Sequence, residues 1–159
     1  MTGIEELMVK DVMTRLVVTL RSQDTIDHAA RQLLSNRISG APVVEAGRLI
    51  GVLSESDLVK AFTTVRRNGV PATPYPLIFL LLRGAPHHEA SYSSVADVMT
   101  KNVVTIGPGD SIWEAASRID RYGIRRLPVV DGDGFLIGIV ARSDLVRYMA
   151  RSFEKKRAS

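Results

Sequence analysis

The chain has 159 residues, a length that suits one compact domain or two tightly packed halves. Hydrophobic residues make up 45% and charged residues 24%, a balance that excludes a disordered chain. The absence of cysteine excludes disulfides and thiolate metal sites, and the longest apolar run, residues 77–82, is far too short to span a bilayer. The first residues lack the basic and apolar regions of a signal peptide, so we expect a cytoplasmic protein.

The net charge of +4 is concentrated in clusters of cations at Arg66–Arg67, at Arg125–Arg126 and in the tail 151–157. Such clusters suit phosphate groups, either on small ligands or on nucleic acid. A solvated basic surface is the alternative, and composition does not separate the two.

The first half of the chain predicts a strand, a helix, a hairpin and a second helix. An extended stretch at 17–20 leads to Asp24, a residue type that caps helices well. The apolar residues that follow are spaced as on one face of a helix: Ile26, Ala29, Ala30, Leu33 and Leu34. Residues 41–44 and 49–53 flank a glycine turn and predict a hairpin, and a closing helix is expected at about 56–63.

Residues 64–94 interrupt this pattern with four prolines and an apolar run at 75–82. A solvated linker does not carry such a run, so we expect it to be buried against the module or at a subunit interface. A lid over a ligand is the alternative.

The second half of the chain repeats the first. The tetrapeptide DVMT at 11–14 recurs at 97–100, and SDLV at 56–59 recurs at 143–146. One inserted residue falls in the turn 131–134, where turns tolerate insertions. The order β-α-β-β-α is therefore expected twice, with the closing helix of the second copy at about 143–152 and an extended stretch and an Asp110 cap at its start. One copy is too small to bury its faces alone, so the two should pack together as an α+β fold.

These motifs, recurring in order in both halves, resemble the CBS domain in a tandem pair, over about residues 9–62 and 95–150. The resemblance implies two β-α-β-β-α repeats packed about a pseudo-twofold axis. It divides the chain into repeat one (1–63), an insert (64–94), repeat two (95–152) and a basic tail (153–159). It also implies regulatory ligands, AMP, ADP, ATP or S-adenosylmethionine, bound in the clefts between repeats, and a homodimer.

The ribose-binding motif of that family is Gly-h-x-(Ser/Thr)-x-x-Asp, where h is apolar. Residues 51–57 match it fully, whereas residues 138–144 keep the aspartate but carry Ala141 in place of the hydroxyl. A helix begins at the motif, so backbone N–H groups and the positive dipole end suit a phosphate. The alternative is a capping box of Ser54 and Asp57 that needs no ligand. The second copy weakens that alternative, because Asp144 is present without a capping hydroxyl.

By resemblance, each cleft takes its sugar contacts from one repeat and its base contacts from the other. The cleft of Asp144 would combine residues of both halves: Ser143, Arg125, Arg126, Thr14, Val17, Val18, Ile38 and Ser39. The cleft of Asp57 would do the same: Ser54, Thr100, Val103, Val104, Ile124, Ser39 and Gly40. Because only the Asp144 cleft has arginines, we expect it to prefer the more phosphorylated ligand. The alternative is that Arg125 and Arg126 are exposed surface charges.

The sequence contains neither a P-loop nor a G-x-G-x-x-G motif, and its three histidines form no ligand set. His87 and His88 are adjacent in the insert, and His28 has no His or Asp partner at i+4, so we expect no metal site and no catalysis. The sequence therefore predicts a sensory module that modulates a separate partner protein and contacts no membrane. The alternative is a protein- or nucleic-acid-interaction module with vestigial clefts.

Overall fold

The computed structural model describes residues 7–67 and 94–157. The apolar run predicted to be buried in the insert lies outside these residues, as do His87 and His88. The helices are α1 (Val9–Val12), α2 (Ile26–Ser35), α3 (Glu55–Arg67), α4 (Val95–Val98), α5 (Ile112–Tyr122) and α6 (Arg142–Arg157). The strands are β1 (Gly40–Glu45), β2 (Arg48–Ser54), β3 (Arg126–Val130) and β4 (Leu136–Ala141).

The strands form two small sheets, β1 with β2 and β3 with β4, so the mixed helix and strand content predicted for each repeat is confirmed. The second pair is antiparallel, with Arg126 opposite Ala141 and Leu127 opposite Val140. Within the described ranges, no helix is both long enough and apolar enough to cross a membrane.

The extended stretch predicted at the start of each repeat contributes only a single parallel bridge. Leu20 lies beside Val43, where its N–H donates to the Pro42 carbonyl at 2.9 Å and its carbonyl accepts from Val44 at 2.9 Å. The ladder does not extend to the preceding residues because Pro42 has no N–H to donate. Ile106 is held in the same way beside Val129.

The caps of α2 and α5 lie one residue later than predicted. The Thr25 hydroxyl accepts the His28 N–H at 3.3 Å, and the Ser111 hydroxyl accepts the Glu114 N–H at 3.1 Å. The Asp24 carboxylate instead accepts the Arg21 N–H at 2.8 Å, and the Asp110 carboxylate accepts the Gly107 N–H at 2.9 Å. The aspartates therefore close the turn before each helix, and the prediction that they cap it was wrong.

The closing helices are longer than predicted. Helix α3 runs through Arg67 and α6 through Arg157, so residues 153–157 of the predicted basic tail are helical. Residues 145–157 contain no glycine or proline, and five of them are arginine or lysine, which favour helix.

The described residues form two compact units that do not coincide with the sequence repeats. One contains 7–17, 46–49 and 104–157, and the other contains 18–45, 50–67 and 94–103. The core of the first consists of Val9, Ile106, Ile112, Ala115, Ile119, Leu127, Val129, Val140 and Leu145. The core of the second consists of Leu20, Ile26, Ala29, Ala30, Leu33, Ala41, Val43, Leu53, Leu58 and Val95.

Each unit includes the short helix that begins the other repeat. The first N–H groups of α1 have no partner within the helix, and those of Val9 and Lys10 donate to the carbonyls of Asp110 and Pro108 at 2.8 and 3.0 Å. Helix α4 is held in the same way, at 2.9 Å, by carbonyls of the turn 21–24. These bonds and the burial of Val9 explain why α1 packs with the second repeat.

Candidate functional site

In the first repeat, the Gly-h-x-Ser-x-x-Asp motif spans the junction of β2 and α3. The N–H and the hydroxyl of Ser54 both donate to Oδ2 of Asp57 at 2.8 Å. The Asp57 N–H donates back to the Ser54 hydroxyl at 3.3 Å, which completes a capping box. The alternative of a capping box formed by Ser54 and Asp57 is therefore present in the structure. Oδ1 of Asp57 accepts no hydrogen bond from the residues that the structure describes.

In the second repeat, the same junction joins β4 to α6. The N–H of Ala141 donates to Oδ2 of Asp144 at 2.8 Å, so Asp144 makes the half of the capping box that requires no hydroxyl. The missing hydroxyl at residue 141 therefore does not weaken the capping alternative as expected, because the N–H at residue 141 does not depend on the side chain. Its other oxygen, Oδ1, accepts from Nη1 of Arg147 at 3.2 Å.

The motif glycines are required by a neighbouring segment. A Cβ on Gly51 would lie 2.5 Å from Sδ of Met99 and 3.1 Å from the Thr100 carbonyl oxygen. A Cβ on Gly138 would lie 2.6 Å from Sδ of Met13, with a backbone carbonyl again at 3.1 Å. Glycine is needed at both positions because it lets the DVMT segment exchanged from the other repeat approach closely.

Threonine of the DVMT segment is fixed beside each motif. Thr14 pairs with Ile139 through two backbone hydrogen bonds of 2.9 Å, and Thr100 pairs with Val52 at 2.9 and 3.0 Å. Both threonine side chains are exposed. Each compact unit therefore brings a motif aspartate and an exposed DVMT threonine to the same sheet.

The unit that contains Asp144 also contains both predicted arginines. Arg126 is half-buried and opens β3 directly opposite Ala141, the position where the motif lacks its hydroxyl. Arg125 is exposed, and its carbonyl accepts the N–H of Arg142 at 2.9 Å. The first N–H group of α6 is therefore already bonded, as is that of α3, whose Glu55 N–H donates to the Ser39 carbonyl at 3.0 Å.

The two compact units share the remaining predicted site residues. Those in the unit of Asp144 are Val17, Val104, Ile124 and Ser143, and those in the unit of Asp57 are Val18, Ile38, Ser39, Gly40 and Val103. Most of these are half-buried, whereas Gly40 is buried and Ser143 is exposed.

Sequence reasoning missed Arg147. Its spacing of three from Asp144 on a predicted helix was the available signal, because residues three apart lie on one helix face.

In the described part of the chain no three His, Asp or Glu side chains come together as metal ligands. His28 is exposed on α2.

Comparison with known proteins agrees with this architecture. The family model of the CBS domain matches residues 9–64 and 95–151. Uncharacterized protein MJ1426 of Methanocaldococcus jannaschii is 40% identical over 153 residues, covering 89% of this chain and 90% of that protein. L-aspartate semialdehyde sulfurtransferase of Methanosarcina acetivorans is 30% identical over 147 residues, covering 92% of this chain but only 24% of that enzyme.

Among solved structures, CBSX2 of Arabidopsis thaliana in complex with AMP superimposes with a TM-score of 0.71 at 26% identity, covering 91% of this chain and 96% of that one. The fold and its two motif junctions define a tandem-repeat α+β module. This chain belongs to the CBS domain family, as a tandem pair of CBS repeats.

Proposed function

We propose that this chain is a regulatory module that binds an adenosine-containing ligand at its motif aspartates and thereby modulates a separate protein without catalysing a reaction. The ligand is AMP, ADP, ATP or S-adenosylmethionine. The observation that carries the proposal is the repeated geometry of Asp57 and Asp144, each held by a backbone N–H at 2.8 Å where a strand ends and a helix begins.

A carboxylate in this position suits a ribose. A carboxylate accepts on two oxygens with about four lone-pair directions, so the two hydrogen bonds from side chain and backbone that each aspartate accepts leave capacity for the two neighbouring ribose hydroxyls. The fixed Oδ2 orients the group in advance, which lowers the entropic cost of binding. The solved AMP complex of CBSX2 supports an adenine nucleotide as the ligand class.

The two sites are unequal, and we expect the site of Asp144 to prefer the more phosphorylated ligand. Arg125 and Arg126 belong to its compact unit, and Arg126 begins β3 opposite Ala141. The guanidinium fork pairs with phosphate oxygens on two donors at once. Ser39 and Gly40, at the corresponding place in the first repeat, carry no cation.

The test is thermal unfolding of the chain with millimolar AMP, ADP, ATP and S-adenosylmethionine in turn. A ligand at about 100 times its dissociation constant adds about 2.7 kcal/mol, a shift of several degrees. We expect the shift to be lost in Asp57→Ala or Asp144→Ala and kept in Asp110→Ala. Asp110 is a fair control because its carboxylate also accepts one backbone N–H, at 2.9 Å, but lies outside the motifs.

Absence of a shift with every ligand would contradict the proposal and favour an interaction module with vestigial clefts. Helix α6 supports this second function, since six of its sixteen residues are cationic and only Asp144 and Glu154 are acidic. A steeply salt-dependent affinity for DNA or RNA, unaffected by nucleotides, would then be expected.

We also propose that the chain acts in the cytoplasm as a homodimer. Val146, Met149 and Phe153 follow one another along α6 at spacings of three and four, and their exposed fractions are 59%, 38% and 59%. Such an apolar row suits contact with a second copy. Light scattering of the purified chain should give twice the mass of 17.4 kDa, and a monomer would contradict the proposal.

A further inference from the structure

Arg147 contacts the motif aspartate of the second repeat, Asp144. Its Nη1 lies 3.2 Å from Oδ1 of Asp144, while Oδ2 of the same carboxylate accepts the N–H of Ala141 at 2.8 Å. Both oxygens of Asp144 are therefore engaged in the structure. The Asp144 side chain is 14% exposed and that of Arg147 is 62% exposed, so the carboxylate is largely buried while its partner stays in contact with solvent.

The first repeat differs in this respect. Oδ2 of Asp57 accepts both donors of Ser54, and in the described residues no donor reaches its Oδ1. The residue at the position of Arg147 is Lys60, whose ammonium lacks the planar fork that aligns with a carboxylate. The replacement of the serine by Ala141 and the ion pair of Arg147 thus occur together in the second repeat.

We infer that Arg147 is a specificity-determining residue that competes with the ribose hydroxyls for Oδ1 of Asp144. This inference rests on the proposed function, because it concerns the same site. A neutral nucleoside must displace the guanidinium and offers no anion in return. The ion pair therefore lowers the affinity of the Asp144 site for uncharged adenosine ligands and leaves the Asp57 site unaffected.

The effect should be small because the Arg147 end of the ion pair is 62% exposed. Exposed ion pairs contribute little because solvent and salt screen them, so removing the arginine should tighten binding by about two- to fivefold. Screening also sets the direction in which salt changes the affinity, because it weakens the ion pair that competes with the ligand. Affinity for a neutral ligand should rise as the ionic strength goes from about 0.01 M to about 1 M, over which the Debye length falls from about 30 to about 3 Å.

The experiment is calorimetric titration of 5′-methylthioadenosine, an uncharged adenosine ligand, into the wild-type chain, Arg147→Ala and Arg151→Ala. Arg151 is the matched control, since it is exposed on the same helix one turn later and its removal changes the net charge equally. We expect two- to fivefold tighter binding, no longer strengthened by salt, only in Arg147→Ala. Asp144→Ala should abolish the binding of 5′-methylthioadenosine at this site, which removes one component of the titration.

Unchanged or weaker binding in Arg147→Ala, with a component that Asp144→Ala removes, would overturn the inference and leave the proposed function standing. Binding of 5′-methylthioadenosine by no variant would overturn the inference alone, because the thermal shifts with AMP, ADP, ATP and S-adenosylmethionine test the proposed function separately. Side-chain ¹⁵N resonances of Arg147 test the ion pair without a ligand, because they should move in Asp144→Asn. Resonances that do not move would refute the pair itself.

Discussion

Replacement of Gly138 by alanine tests how the exchanged DVMT segment is held against β4. The new methyl carbon would lie 2.6 Å from Sδ of Met13 and 3.1 Å from the Thr14 carbonyl oxygen. The thioether must turn away from the new methyl group, and the carbonyl is bonded to the Ile139 N–H at 2.9 Å and cannot move without loosening the pair. Overpacking of this kind costs about 1–3 kcal/mol, which lowers Tm by about 2–12 °C in a chain of this size.

The assay is urea unfolding followed by circular dichroism, in the wild-type background and in Met13→Ala. Because the sulfur clash disappears in Met13→Ala, Gly138→Ala should cost less there, with a coupling energy of at least about 0.5 kcal/mol. Gly109→Ala is the matched control, since a methyl carbon added at Gly109 would have no atom within 4 Å. Full stability of Gly138→Ala, or an equal loss in both backgrounds, would refute the reasoning.

Three further predictions concern capping and pH. Ser54→Ala removes the capping hydroxyl of α3 and should lower the free energy of unfolding by about 0.5–2 kcal/mol; an unchanged urea midpoint would contradict this. Ala141→Ser supplies the missing cap of α6 and should stabilise the chain, whereas a loss would show that the site rejects the hydroxyl. The Thr25 hydroxyl donates to Asp27 and holds the pKa of that carboxyl below its usual 3.8. Because the folded-state pKa is the lower one, this stabilisation is present above pH 3.8 and is lost on acidification through the folded-state pKa, so Tm of Asp27→Asn should fall less steeply below pH 3.8.

The order of elements was predictable because it depends on local patterns. Helical spacing in Ile26–Ser35 and the recurrence of DVMT and SDLV were enough to place two repeats of the CBS type. The caps were misplaced by one residue because Asp24 and Thr25 are both good capping types, and only the backbone conformation decides between them.

The exchange of α1 and α4 between the repeats could not be predicted from local pattern. It depends on which distant carbonyls satisfy the first N–H groups of a one-turn helix, as Pro108 and Asp110 do for α1. The engagement of Asp144 by Arg147 was missed for a related reason. A spacing of three permits such a pair on a helix, but side-chain rotamers decide whether it forms.

The most direct test of the central claim is a crystal structure of this chain with AMP. We expect the two ribose hydroxyls to donate to the carboxylate of Asp57 or Asp144 at about 2.5–3.0 Å, while the N–H bond to Oδ2 is kept. AMP bound away from both aspartates, or no AMP at a concentration that saturates binding in solution, would contradict the claim.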